Sequence, residues 1–190
     1  LLNPFKIVIM IVRRVVYMGQ NYAVLVAAGK GSRMGGPLPK QFIMLNKDPI
    51  IIHTIKRFVL AESIDHIIVV VADEYIEFME KSILKEYKFA KPITIVEGAK
   101  ERQDSVYNGL KALPKDADIV LIHDGVRPFI EIELIDKSVY LAKKHGAVVV
   151  GVPVKDTIKK IDENTNIQKT LTREVLWQAQ TPQVFQYGLI

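Results

Sequence analysis

Short apolar, β-branched runs recur at 22–28 (YAVLVAA), 66–72 (HIIVVVA), 93–96 (ITIV), 118–122 (DIVLI) and 147–154 (AVVVGVPV). Each is apolar nearly throughout, the pattern of a strand buried on both faces. Between them, apolar positions fall at helical spacing: Ile51, Ile52, Ile55 and Val59 within 49–60, and Ile76, Met79, Ile83 and Leu84 within 73–87. Val106, Leu110 and Leu113 do so within 101–113, and Leu134, Ile135, Val139 and Leu141 within 131–145. This regular alternation predicts an α/β fold, a three-layer α/β/α arrangement with a mostly parallel sheet. After Val154 the rhythm changes. Residues 155–181 alternate apolar and polar side chains around a turn at Glu163-Asn164-Thr165-Asn166. They predict a protruding β-hairpin arm with one apolar side. A hairpin is marginal alone, so a second subunit is the expected cover.

The chain has 190 residues, enough for one domain, which the pattern places at 21–190. Residues 1–20 stand apart. Their apolar run from Ile7 to Val12 is ended by Arg13 and Arg14, far short of the roughly 20 residues that span a bilayer. A clean strand follows Met18, so residues 1–20 read as upstream or added sequence. The other reading is an extension that adds an edge strand or a membrane-surface contact. The net charge of +5 includes Lys6, Arg13 and Arg14 from that stretch, so the basicity is mostly an end effect. Trp177 and the tyrosines do not interleave with a basic stripe, and no nucleic-acid partner is expected. Cysteine is absent, which removes disulfides, thiolate metal sites and cysteine nucleophiles and suits a reducing, cytoplasmic setting. A plastid location would require a plant or algal source.

Candidate chemistry gathers where the strands end, the place where open parallel sheets bind ligands. A Gly-rich loop, Ala27-Ala28-Gly29-Lys30-Gly31-Ser32-Arg33-Met34-Gly35-Gly36, follows the first strand and leads to Lys40. Its glycines let backbone N–H groups approach a phosphate, and Arg33 and Lys40 add charge. It matches neither a P-loop nor a dinucleotide fingerprint. A bland Gly-rich turn with two solvated cations is the competing reading. At the second end, Gly98 to Ser105 run from a strand into a helix start. They meet a base or sugar edge, or Asp104 and Ser105 merely cap the helix. At the third, Asp124 in His123-Asp124-Gly125-Val126-Arg127 suits Mg²⁺, held by one carboxylate plus substrate phosphates, or else pairs structurally with Arg127. At the fourth, Thr157 stands at the start of the arm that carries Arg173 and Thr181. An arginine there could hold a phosphate or be solvated. No G-x-S-x-G elbow exists, and the four histidines lack metal-ligand spacing.

Five motifs, AAGKGSRM…PKQ (27–41), ERQDSVYNGL (101–110), HDGVRPF (123–129), VPVKDTIK (152–159) and LWQAQTPQVF (176–185), together resemble the 2-C-methyl-D-erythritol 4-phosphate cytidylyltransferases of non-mevalonate isoprenoid synthesis. The resemblance runs in order over residues 22–190. It implies a Rossmann-like fold of the nucleotide-diphospho-sugar transferase type. The implied reaction joins CTP and methylerythritol phosphate, releases pyrophosphate and uses Mg²⁺. It implies Arg33, Lys40 and Arg173 as catalytic cations and Asp124 as the metal ligand. The implied nucleotide set is Ala27, Ala28, Gly29, Gly31, Gly98, Lys100, Ser105 and Gly125. Thr157, Arg173 and Thr181 would contact the second substrate, with Arg173 reaching across a homodimer through the exchanged arm. Family members are expected to continue several dozen residues past Ile190 with a further lysine, and Lys100 stands where acidic or small residues are common. The Gly35-Gly36-Pro37-Leu38 loop also resembles ribitol-5-phosphate cytidylyltransferases, whereas Leu171-Thr172-Arg173-Glu174 and Leu176-Trp177 favour the methylerythritol enzyme. A nucleotide-binding chain without catalysis is the remaining alternative. Without the resemblance, the residues reach only a Mg²⁺-dependent, nucleotide-handling α/β domain.

Overall fold

The computed structural model describes residues 6–11, 19–29 and 38–190. Its strands are β1 (Lys6–Ile11), β2 (Asn21–Val26), the two-residue β3 (Met44–Leu45) and β4 (Asp48–Pro49), β5 (His66–Val71), β6 (Ile93–Glu97), β7 (Ile119–Asp124) and β8 (Gly146–Pro153). The arm pair β9 (Lys159–Ile161) and β10 (Ile167–Thr170) and the long β11 (Trp177–Gln186) complete them. The helices are α1 (Ile50–Leu60), α2 (Ile76–Phe78), α3 (Arg102–Lys111) and α4 (Ile132–His145). Seven strands form one sheet in the order β1-β8-β11-β7-β2-β5-β6.

The expected α/β layering is present. One face of the sheet packs α1 and α4 through Ile51, Ile52, Ile55, Phe58, Ile135, Val139 and Ala142, all buried. The opposite face packs α3 through Val106 and Leu110, with Leu113 just after it, against Val24, Val70 and Val120. Pro49 opens α1 with φ −59° and has no N–H for a helix to leave unpaired. α4 carries Lys143, Lys144 and His145 in its last turn, where cations suit the helix dipole. It stops at Gly146, whose φ of 93° is open to glycine and strained for other residues.

Three features differ from the sequence reading. The pairs of β2 with β5 and β7, and of β5 with β6, are parallel, but β11 runs antiparallel between β7 and β8. The sheet is therefore mixed. From Trp177 on, the end of the stretch read as arm belongs to the central strand β11. The single helix expected over 73–87 is instead a chain of short turns, 3-10, α, π and 3-10, from Asp73 to Glu86. Only Met79 and Ile83 of that stretch are buried. Finally, residues 6–11 pair antiparallel with β8 from Lys6↔Gly151 to Ile11↔Gly146. They form the strand at one edge of the sheet. The arm's turn falls at 162–166 as expected, held by Asp162 accepting from the Asn164 and Asn166 N–H groups at 2.9 Å. Its strands are exposed throughout, with Ile167 65% accessible.

Candidate active site

The chain leaves β2 toward β5 over the α1 face and returns to β7 over the α3 face. The carboxyl ends of the parallel strands β2, β5, β6 and β7 all reach one edge of the sheet, with α1 and α4 on one face and α3 on the other, and that edge is where an open α/β sheet has room for a ligand. A cavity of about 740 Å³ opens there. It is lined by Ala27, Ala28 and Gly29 after β2, by Lys40 and Gln41, by 97–102 with Ser105 after β6, and by Asp124 and Val126 after β7. With Ala72 and Asp73 after β5, five separate sequence segments meet at one site.

Backbone hydrogen bonds shape its walls. Gly98 N–H donates to the Val71 carbonyl at 2.7 Å. A Cβ on Gly98 would lie 2.3 Å from the Ala28 Cβ, so only glycine lets the two walls come this close. Ser105 is buried and does not cap its helix. The N-cap position is Glu101, with no side-chain cap bond. The Ser105 Oγ accepts from Ala99 N–H at 2.9 Å, and its own proton lies within reach of the Ala99 and Glu101 carbonyls, each at 3.1 Å. Ser105 therefore fixes the 97–101 loop. Ala27 is engaged at both backbone groups: its N–H donates to Val70 at 2.7 Å and its carbonyl accepts from Gln41 Nε2 at 2.7 Å. Lys100 is exposed on the cavity rim. Gly125 lies behind the wall, its N–H on the Val26 carbonyl at 2.9 Å and its carbonyl accepting from Thr54 Oγ1 at 2.8 Å.

Asp124 is the electrostatic centre. Its Oδ1 accepts from Arg102 Nη2 at 2.8 Å and Nε at 3.2 Å, and its Oδ2 accepts from Arg127 Nε at 2.9 Å. Burial alone would raise its pKa. The Arg102 hydrogen bond, with the charges of Arg102 and Arg127, outweighs burial and holds the carboxyl below its ordinary range. Arg127 continues to Gln180 Oε1 at 2.6 Å, tying β7 to β11. The Arg127 pair is one of the two sequence readings of Asp124, and Arg102 is a residue that reading did not single out. Its signal was a cation in the first turn of a helix, which opposes the helix dipole unless an acid answers it. A carboxylate offers about four lone-pair positions, and three are taken here, so one stays open on Oδ2. Among the described residues no cluster of three or more metal-ligating side chains exists. The open Oδ2 position is a hard oxygen donor of the type that Mg²⁺ takes from one or two carboxylates alongside substrate phosphates.

Across the 124–127 turn lies a second, mostly apolar cavity of about 510 Å³, lined by Leu45, Ile50, His123, Val126, Arg127, Pro128, Phe129 and Thr181 among others. Thr181 joins the two sides, its Oγ1 3.4 Å from the Asp124 N–H that donates to it. His123 is buried, and burial pushes its imidazole down to about 4. Its Nε2 stands 3.2 Å from the Arg127 carbonyl, which only a protonated Nε2 can satisfy. Thr157 and Arg173 lie on the arm side and line neither cavity. Arg173 is exposed, donates to the Lys155 carbonyl at 3.1 Å and pairs loosely with Glu174 at 3.7 Å. Gly31 and Arg33 lie outside the described residues.

The family model for 2-C-methyl-D-erythritol 4-phosphate cytidylyltransferase matches residues 22–190. The chain belongs to this family. A protein of that name from Alkaliphilus oremlandii is 52% identical over 173 residues, which is 91% of this chain and 73% of the relative. One from Clostridioides difficile is 51% identical over 167 residues, 88% of this chain and 70% of the relative. Among solved structures, the 4-diphosphocytidyl-2C-methyl-D-erythritol synthase of Anaerococcus prevotii superposes with a TM-score of 0.76 at 33% identity, covering 90% of this chain and 71% of that one. The Francisella tularensis cytidylyltransferase does so at 0.66 and 29%, covering 90% and 74%. The family match takes in every wall of the larger cavity and leaves β1 outside it. No helix among the described residues is long and apolar enough to cross a membrane.

Proposed function

We propose that the chain transfers the cytidylyl group of CTP to 2-C-methyl-D-erythritol 4-phosphate, releasing pyrophosphate, in isoprenoid precursor synthesis. The family match over residues 22–190 carries this reading. The cavity supports it, because its lining brings the cations Lys40, Lys100 and Arg102 together with the carboxylate of Asp124, beside Asp73, Glu97 and Glu101, and its one serine, Ser105, is spent on its own loop. Such a set suits direct phosphoryl-type transfer, in which the protein positions the reactants and stabilises charge. An oxygen of the methylerythritol phosphate attacks the α-phosphorus of CTP. A new P–O bond forms as the α–β bridging P–O bond breaks, and the electron pair departs on pyrophosphate.

Lys40 faces the phosphates from one wall and Arg102 from the other, and each offsets negative charge that builds toward the leaving group. Arg33 is assigned the same task. Asp124 would hold Mg²⁺, which when bound neutralises phosphate charge and orients the oxygens. Asp124 also keeps Arg102 and Arg127 aligned on either side of the 124–127 turn. The loop 97–101, fixed by Ser105, and the Ala28–Gly29 edge form the wall against which the nucleoside rests. Arg173, Thr157 and Thr181 are assigned to the second substrate, with Arg173 delivered from a partner subunit. The exposed Ile161 and Ile167 on the arm suit burial in such a homodimer. The cysteine-free composition suits a cytoplasmic enzyme.

The test is pyrophosphate release from CTP and Mg²⁺, with methylerythritol phosphate and ribitol 5-phosphate offered separately. Release with the first alone is expected. Release only with ribitol 5-phosphate would move the assignment to the polyol-phosphate enzymes, and CTP binding without release would leave a binding protein.

A further inference from the structure

We infer that Gln41 is a positioning residue that sets the height of Lys40 over the cavity by clamping the Lys40 turn to the end of β2. This inference rests on the proposed reaction. Lys40, Gln41 and Phe42 form one turn of 3-10 helix behind Pro39. Three consecutive side chains point to three different places. Phe42 is buried and packs on the rings of Tyr75 at 5.1 Å and Phe78 at 5.2 Å. Gln41 is 1% exposed and donates from Nε2 to the Ala27 carbonyl at 2.7 Å, across 14 residues of sequence. Lys40 is left lining the cavity. So short a turn carries little rigidity of its own, and its position is set by what pins its side chains. Phe42 pins it on the core side, and Gln41 is the pin on the cavity side.

The other end of the Gln41 amide is informative. Its Oε1 is buried and has no hydrogen-bond partner among the described residues. A buried orphan acceptor opposes folding, so stability alone favours an apolar residue of the same length at this position. The retained amide is explained by what Nε2 does to Ala27, the first residue of the nucleotide wall. The same carbonyl bond orients the main chain entering Ala28 and Gly29. The clamp thus sets both the cation and the wall it faces.

The unpaired Oε1 makes the test selective. Gln41→Met keeps length and volume, removes the clamp, and also removes the orphan acceptor. The melting temperature is expected to stay within a few degrees of the parent, because a lost hydrogen bond is offset by a lost orphan. The kcat for pyrophosphate release is expected to fall about a hundredfold, the scale of a displacement near 1 Å at a reacting centre. The KM for methylerythritol phosphate should change little. Rates are expressed per folded chain, with the folded fraction read by circular dichroism. A Gln41→Met chain with kcat within about twofold of the parent would overturn the inference. So would a kcat loss that disappears when corrected for unfolded protein, since that is a purely structural role. No pyrophosphate release by the parent would instead overturn the reaction in which Lys40 acts, and the role of Gln41 with it.

Discussion

Gly98→Ala adds one methyl group where the structure has no room for it. The new Cβ would stand 2.3 Å from the Ala28 Cβ, 3.2 Å from the Ser105 Oγ and 3.2 Å from the Val71 carbonyl oxygen. Ordinary carbon contacts begin near 3.5 Å, so the loop after β6 and the end of β2 must separate by about 1 Å. None of the three neighbours is the free end of a flexible side chain. Ala28 moves only with its backbone, and Val71 accepts the Gly98 N–H at 2.7 Å, a bond the separation would weaken. Overpacking of this kind costs about 1–3 kcal/mol. For a chain of this size each kcal/mol lowers Tm by roughly 2–4 °C, so a fall of about 2–12 °C is expected. Gly29→Ala is the matched control, since a Cβ there meets nothing within 4 Å among the described residues. Its Tm should stay within about 1 °C of the parent. Thermal unfolding of the three chains in one buffer reads the comparison, and CTP titration should show weaker binding for Gly98→Ala because the nucleoside wall has moved. Equal melting temperatures for Gly98→Ala and the parent, or an equal fall in both variants, would refute the close-approach argument.

Lys40→Ala should lower kcat by about 10²–10³-fold, the scale seen when one donor to developing charge is removed, while Tm changes by under about 2 °C; steady-state kinetics and a melt check both. The buried His123 should make stability fall as pH drops. Its folded pKa is about 4 against an ordinary 6.5, so the unfolded chain binds the proton first, and stability is lost progressively between those values. The full loss is about 3 kcal/mol. Urea midpoints at several pH values should slope less for His123→Leu, with His66, also lowered by burial, supplying part of the remaining slope. Ile167→Asp should shift the chain toward monomer in sedimentation equilibrium and lower activity, whereas an unchanged mass would remove the arm from the proposed dimer.

The strands around the site were legible because strands buried on both faces leave unbroken apolar runs, and 66–71 and 119–124 stand within two residues of where the runs predicted them. The convergence of Ala27, Lys40, Gly98, Ser105 and Asp124 followed from strand order, since parallel strands send their carboxyl ends to one edge. What escaped notice has physical reasons. β11 crosses from arm to core without a break in sequence, and its pattern is half exposed and half buried, so alternation alone hid a central strand. Residues 73–86 carry helical periodicity but only two buried anchors, and the backbone winds through several turn types instead of one. Gln41 and Arg102 act through partners 14 and 22 positions away, a pairing that residue type does not announce. For Ser105 the sequence left a cap and a ligand contact open, and the side chain instead holds its own loop.

The central claim is that the substrate phosphate itself attacks CTP. It is tested by ³¹P NMR of the reaction run with methylerythritol phosphate carrying ¹⁸O in its phosphate group. The account predicts one new diphosphate diester, free pyrophosphate in equal amount, and ¹⁸O retained at the oxygen bridging the two phosphorus atoms. Formation of CMP without diester, or a bridge lacking the label, would contradict it.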